Sequence, residues 1–182
     1  MFDDMQVDIA SNEEAGRIAV PGGTVSLRRA DETDAPFLFD LFRGHTGSRL
    51  RMGGLPEDVI EQLVAMQYRA RVQSYRDRFP DACWSVIEAA GVPIGELIVT
   101  GEPGALYVVD IALNPGHRQQ GIGSALMRTV MAAGAARGGV RAMVAANNEA
   151  SLRMFRRLGF SETNDEDGVY LELQWQPSAD RA

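Results

Sequence analysis

The sequence predicts an α/β protein built on a single mixed, mostly antiparallel sheet flanked by helices. Three observations lead there. Residues 82–113 hold three runs rich in β-branched and aromatic residues, joined by Gly91-Val92-Pro93 and Glu102-Pro103-Gly104, the pattern of a hairpin meander. Residues 114–146 then pass from a loop into an Ala-rich helix and on to a Val-rich strand, the pattern of a parallel crossover. The whole order, β-α-α-β-β-β-α-β-α-β-β, therefore mixes antiparallel hairpins with a crossover.

Each element has a local reason. Thr24–Arg29 reads as a strand. Asp31 can cap the helix that follows, with Pro36 tolerated in its first turn and Phe37, Leu38, Leu41 and Phe42 forming an apolar face. Arg43–Gly54 carries four glycines and three arginines and is expected to be a loop. Pro56-Glu57-Asp58 opens a long helix to about Phe79, with Ile60, Leu63, Val64, Met66 and Ala70 as its apolar stripe and Arg69, Arg71, Arg76 and Arg78 on its wet side. The meander follows, then a helix from Gly121 to about Arg137, a strand at Val140–Ala146 and a helix at Glu149–Leu158 stopped by Gly159. Phe160–Thr163 and Val169–Trp175 make the last hairpin. The expected organisation is an acidic N-terminal arm over 1–22, strand-forming at most at Gly16–Val20, one domain over 23–176, and a polar tail over 177–182.

Composition narrows the chemistry. The 182 residues are 45 % hydrophobic and 24 % charged, ordinary for one globular domain. The net charge of −7 repels phosphate backbones, so nucleic acid is not an expected partner. All 18 cationic side chains are Arg, which excludes Schiff-base chemistry and a phosphate-loop lysine. Cys83 is the only cysteine, and His45 and His117 are the only histidines, so no metal site is expected. No basic-then-apolar leader and no apolar run of membrane-spanning length is visible; a cytoplasmic protein without membrane contact is expected.

The most informative stretch is Val109–Ser124. An apolar strand passes through Asn114-Pro115-Gly116-His117-Arg118-Gln119-Gln120 into a helix that opens Gly121-Ile122-Gly123-Ser124. Free N–H groups of a first helical turn, with the helix dipole behind them, suit a pyrophosphate, and glycines let the phosphates approach the backbone. Arg118 adds a permanent positive charge. Leu126 stands where a dinucleotide fingerprint needs a third glycine, so that motif is not met.

Arg118-Gln119-Gln120-Gly121-Ile122-Gly123 resembles the acetyl-CoA pyrophosphate loop of the GCN5-related N-acetyltransferase (GNAT) superfamily. The block Asn148-Glu149-Ala150-Ser151-Leu152-Arg153-Met154-Phe155, closing on Gly159-Phe160, resembles that family's second motif. The two stand in the family's order, and the likeness spans about Thr24 to Trp175. It implies the acyl-CoA N-acyltransferase fold, with acetyl-CoA as co-substrate. Ile111, Ala112 and Leu113 would offer strand backbone to the pantetheine, one N–H polarising the thioester carbonyl. Arg118, Gln119, Gln120, Gly121, Ile122, Gly123 and Ser124 would cradle the pyrophosphate. Asn148 would bond the pantetheine or the helix start, and Ser151 would let the cofactor arm pass. Phe155 replaces the family's frequent tyrosine, which protonates the leaving thiolate; a phenyl ring can pack on the cofactor but donates no proton.

Proton transfer then needs other groups. Tyr107, Tyr170 and Tyr75 are candidate donors. Glu96 and Asp110 are candidate bases; Asp110 lies on the strand face opposite Ile111 and Leu113, and a structural carboxylate is the competing role. Glu96 is equally a surface residue on the sequence alone. The expected function is transfer of acetyl from acetyl-CoA to a primary amine of a small molecule or peptide by direct attack in a ternary complex. The alternatives are a non-catalytic acyl-CoA sensor and an O-acetyltransferase. A homodimer remains open.

Overall fold

The computed structural model describes residues 17–51, 53–164 and 168–178. Among these, eight strands form one sheet. They are β1 (Arg17–Val20), β2 (Gly23–Arg29), β3 (Cys83–Ala89), β4 (Val92–Glu102), β5 (Ala105–Leu113), β6 (Val140–Ala145), β7 (Ser161–Asn164) and β8 (Tyr170–Trp175). The spatial order is β1-β2-β3-β4-β5-β6-β8-β7, and every adjacent pair is antiparallel except β5–β6. Four helices complete the chain: α1 (Ala35–Arg51), α2 (Glu57–Arg78), α3 (Ile122–Ala135) and α4 (Glu149–Arg157). The mixed sheet flanked by helices is the fold class that the sequence predicts.

Alternation along the strands divides the interior in two. Leu27, Ile87, Leu97, Val99, Leu106 and Val108 pack with Leu126, Met127 and Val130 of α3 and Leu152 and Phe155 of α4. At about 1.5–3 kcal/mol for each large apolar side chain, this layer dominates the stability of the sheet. On the opposite face, Trp84, Ile98 and Asp110 stand abreast on β3, β4 and β5, and the side chain of Asp110 reaches α2. Arg28 secures the entry to α1, bonding both carboxylate oxygens of the buried Asp34 at 2.7 and 2.6 Å and Glu88 at 2.7 Å.

Three expectations are corrected. Arg43–Gly54 is not a loop, because α1 continues to Arg51 and carries Gly44 and Gly47 inside it. A glycine costs about 1 kcal/mol in a helix, and tertiary contacts outweigh it: Gly47 is buried and the His45 ring is tied to Arg118 of the loop after β5. The boundary between residues 22 and 23 falls inside the β1–β2 hairpin, where Ile18 faces Val25 and joins the core. On α2 the buried stripe is displaced. Met66 is 54 % exposed and Ala70 is exposed, whereas Ile60, Val64, Arg71 and Tyr75 turn inward. The acidic segment before Arg17 and the tail from residue 179 lie outside the described residues.

Candidate active site

The site begins with a strand that changes partners. β4 and β5 pair regularly until Ile98 faces Asp110 and Val99 faces Val108, which leaves Val109 as an extra residue in β5. Such a bulge bends the strand that carries it. On its other side β5 pairs with β6 only over Leu106–Val108 against Val140–Ala142, although both strands run on. The two parallel strands therefore part at the bulge, and Val109–Leu113 has no β6 partner. Ile111, Ala112 and Leu113 lie along this parted edge and are partly buried.

Beyond Leu113 the chain turns into α3. Gln119 and Gly121 have positive φ (60° and 79°), which folds the loop back upon the helix start. The first bond of α3 runs from the Ala125 N–H to the Gly121 carbonyl at 3.0 Å, so the N–H groups of Ile122, Gly123 and Ser124 have no acceptor within the helix. A Cβ at Gly123 would stand 3.1 Å from Met154 Sδ, so this glycine also permits the approach of α4. Gln120 donates from Nε2 to the Gly116 carbonyl (2.7 Å) and braces the turn. Arg118 is folded back, its Nε donating to the Leu113 carbonyl at 2.9 Å and its Nη2 to His45 Nε2 at 2.5 Å. Asn148 caps α4, its Oδ1 accepting from the Ser151 N–H at 3.2 Å. Phe155 is 1 % exposed and stands edge-on to Phe160 at 4.9 Å, a core position.

On the α2 side of the same strands lies a buried polar cluster. Arg71 Nη2 donates to Glu96 Oε1 (2.6 Å) and to Asp110 Oδ2 (2.7 Å), and the Tyr75 hydroxyl donates to Asp110 Oδ2 (3.2 Å). The guanidinium lies over the rings of Phe42 and Tyr75, 5.6 and 4.9 Å from their centroids. Glu96 is therefore not a surface residue but 3 % exposed. Burial pushes its carboxyl up to about 7, with Arg71 opposing and Asp110 adding to the rise. Burial also pushes the Tyr75 phenol up to about 12, assisted by the charge of Asp110, so it is a donor at neutral pH.

The structure thus brings Glu96 and Asp110 together. It keeps two other sequence candidates out of their hydrogen-bond cluster: the ring of Tyr107 stacks on Phe79 (5.4 Å), with burial raising its pKa, and Tyr170 is 47 % exposed on β8 opposite Ala145. Sequence reading missed Arg71 by placing it on the wet side of α2. Its spacing from Ile60 and Val64, which continues one helical face, was the available signal. Among the described residues no group of three or more His, Cys, Asp or Glu is arranged to hold a metal, and no helix is long and apolar enough to cross a membrane.

Splayed parallel strands beside an uncapped helix N-terminus, with two carboxylates joined through Arg71 on the opposite side of the bulged strand, mark an acyl-CoA N-acyltransferase fold. The chain belongs to the acetyltransferase (GNAT) family, whose model matches residues 55–160. Solved structures agree in fold. The PaiA N-acetyltransferase of Thermoplasma acidophilum in complex with coenzyme A aligns with a TM-score of 0.62 at 16 % identity, over 84 % of this chain and 99 % of its own. RimL, a ribosomal L7/L12 α-N-protein acetyltransferase in complex with coenzyme A, aligns at 0.59 and 20 % identity over 90 % and 99 %. RimJ of Mycobacterium smegmatis, in complex with a CoA disulfide, aligns at 0.61 and 18 % over 92 % and 88 %. No curated protein matches by sequence.

Proposed function

We propose that this protein binds acetyl-CoA and transfers its acetyl group to a primary amine of a small molecule or peptide. One observation carries the reading. The same short stretch of β5 offers an unpaired backbone edge at Val109–Leu113 and, from its other face, the Asp110 carboxylate joined to Glu96. The coenzyme A complexes of proteins with this fold support the co-substrate.

In this reading the N–H groups of Ile122, Gly123 and Ser124 hold the pyrophosphate, where the positive end of the α3 dipole favours an anion. Arg118, Gln119, Gln120 and Gly121 shape that turn. Ile111, Ala112 and Leu113 present strand N–H and C=O groups to the pantetheine and to the thioester carbonyl. Asn148 holds the start of α4 and so sets the position of Ser151 beside the cofactor arm. Phe155 supports this wall from the core and takes no part in proton transfer.

Glu96 and Asp110 receive the proton that the acceptor ammonium must lose before its nitrogen attacks. A carboxyl poised near 7 is well matched to that task at neutral pH. The nitrogen forms a bond to the thioester carbon, the carbon–sulfur bond breaks, and the thiolate leaves. A thiol of pKa about 8.5 is a tolerable leaving group without a dedicated acid. Tyr75, hydrogen-bonded to Asp110, is the nearest phenol to the carboxylate pair by its contacts and supports proton return better than Tyr107 or Tyr170.

The test is calorimetry with acetyl-CoA followed by a thiol-release assay over a panel of amines. Micromolar binding and amine-dependent release of free CoA are the expected results. Binding without release above background would replace the enzyme by an acyl-CoA sensor, and an ester product would make it an O-acetyltransferase.

A further inference from the structure

We propose that Arg71 is a positioning residue that makes one proton-holding unit of two carboxylates, with a single exchangeable proton on Glu96 Oε2. The inference rests on the reading of Glu96 and Asp110 as the acid–base pair and adds the group that governs them. Its basis is the way the guanidinium spends its donors. A plain Arg–carboxylate fork uses two nitrogens on two oxygens of one partner. Here a single nitrogen, Nη2, serves Glu96 Oε1 and Asp110 Oδ2 together, while Nη1 and Glu96 Oε2 are both shut off from solvent without a hydrogen-bond partner.

The charge balance then decides where the proton lies. One cation faces two carboxylates, with side-chain exposures of 12 % for Arg71, 4 % for Glu96 and 28 % for Asp110. Two ionised carboxylates this close and this dry repel one another, so one of them holds a proton near neutrality. Asp110 has two donors on Oδ2 and the greater access to water. Glu96 has one donor on Oε1 and a bare, buried Oε2, where an O–H costs less than a charge. The groups facing the pair are Arg71, Tyr68 and Tyr75 from α2, His45 and Phe42 from α1, and the apolar Val86 opposite Glu96 on β3. Arg71 is the cation that bonds both carboxylates. Its guanidinium lies over the Phe42 and Tyr75 rings, and a lysine ammonium, a point charge without the planar fork, does not reproduce that contact.

The test is carboxyl 13C NMR titration of the uniformly labelled full chain without ligand, on wild type, Arg71→Met, Arg71→Lys and Asp110→Asn. Glu96 is expected to titrate near neutrality in wild type. Its midpoint rises by a unit or more in Arg71→Met, lies closer to wild type in Arg71→Lys, and falls in Asp110→Asn; circular dichroism confirms that each variant is folded. A wild-type Glu96 midpoint in the ordinary carboxylate range, or shifts of the same sign in Arg71→Met and Asp110→Asn, overturns the proposal. The acid limb of kcat/KM for the amine should follow the NMR midpoints. An NMR pattern as expected with an unmoved acid limb keeps the unit and instead removes Glu96 from the acid–base role.

Discussion

Arg118 Nη2 lies 2.5 Å from His45 Nε2, which ties the loop before α3 to the middle of α1 across 73 residues of sequence. A guanidinium can only donate, so the imidazole nitrogen must accept. That assigns the neutral ring with its proton on Nδ1. The nearby Leu113 carbonyl, 3.1 Å from the same nitrogen, then takes its hydrogen bond from Arg118 Nε instead. The helix that reaches the Arg71–Glu96–Asp110 cluster through Phe42 and the loop proposed to hold the pyrophosphate are therefore in direct contact.

The His45 titration follows from this contact. Burial, and next the Arg118 charge, hold its pKa below the usual histidine value. With two histidines in the chain, each ring can be assigned by substituting the other. In Arg118→Gln the His45 midpoint is expected to rise toward 6.5 as the cationic neighbour is removed. A midpoint that stays put, or falls, would show that the pair is not formed in solution.

The turn before α3 should tolerate little. Gly121 has φ +79°, and a Cβ there would meet the Pro21 ring at 3.1 Å. Gly121→Ala is expected to lose about 1–2 kcal/mol, from the left-handed conformation alone. At about 2–4 °C per kcal/mol for a chain of this size, the melting temperature should drop measurably. At Gly123 the neighbour is the end of the flexible Met154 side chain, so Gly123→Val should fold. Its affinity for acetyl-CoA should nevertheless fall at least about tenfold (about 1.4 kcal/mol), since a branched side chain would crowd the first turn. Unchanged affinity by calorimetry would remove the α3 N-terminus as the pyrophosphate site.

Glu96 gives stability a pH dependence of definite sign. Burial pushes its carboxyl up to about 7, above the ordinary value of 4.5, so the native state binds more protons than the unfolded state between these values. Its contribution is full below the lower value and is lost as pH rises through the upper one. Denaturant unfolding between pH 5 and 8 should show that loss in wild type and a flatter profile in Glu96→Gln. Equal slopes in the two proteins would rule out a raised Glu96 pKa.

Restoring a tyrosine at 155 should not restore a proton donor. The ring is 1 % exposed and packed edge-on against Phe160, so the added hydroxyl enters the core. A buried hydroxyl without a partner costs about 1–3 kcal/mol. Phe155→Tyr is therefore expected to melt several degrees lower with no gain in turnover. A several-fold rise in kcat at unchanged stability would place the ring edge at the thioester instead.

The sequence by itself determined the meander, the crossover, the helix order and the glycine turn before α3. These are local patterns: period-two alternation, apolar helical faces and glycines at the junction of Leu113 and Ile122 are written in contiguous residues. It also carried both motif blocks and named Glu96 and Asp110 as candidates. Only the tertiary structure decided where those carboxylates stand and what they touch. Arg71 meets Glu96 and Asp110 across 25 and 39 residues, and its inward turn depends on a helical face that Met66 and Ala70 argued against. Likewise, α1 runs helical through Arg43–Arg51 despite a local glycine cost, and there the His45 ring finds its partner in Arg118, 73 residues along the chain. Propensity acts at about 1 kcal/mol per residue, and the packing of α1 and α2 against the sheet outweighs it.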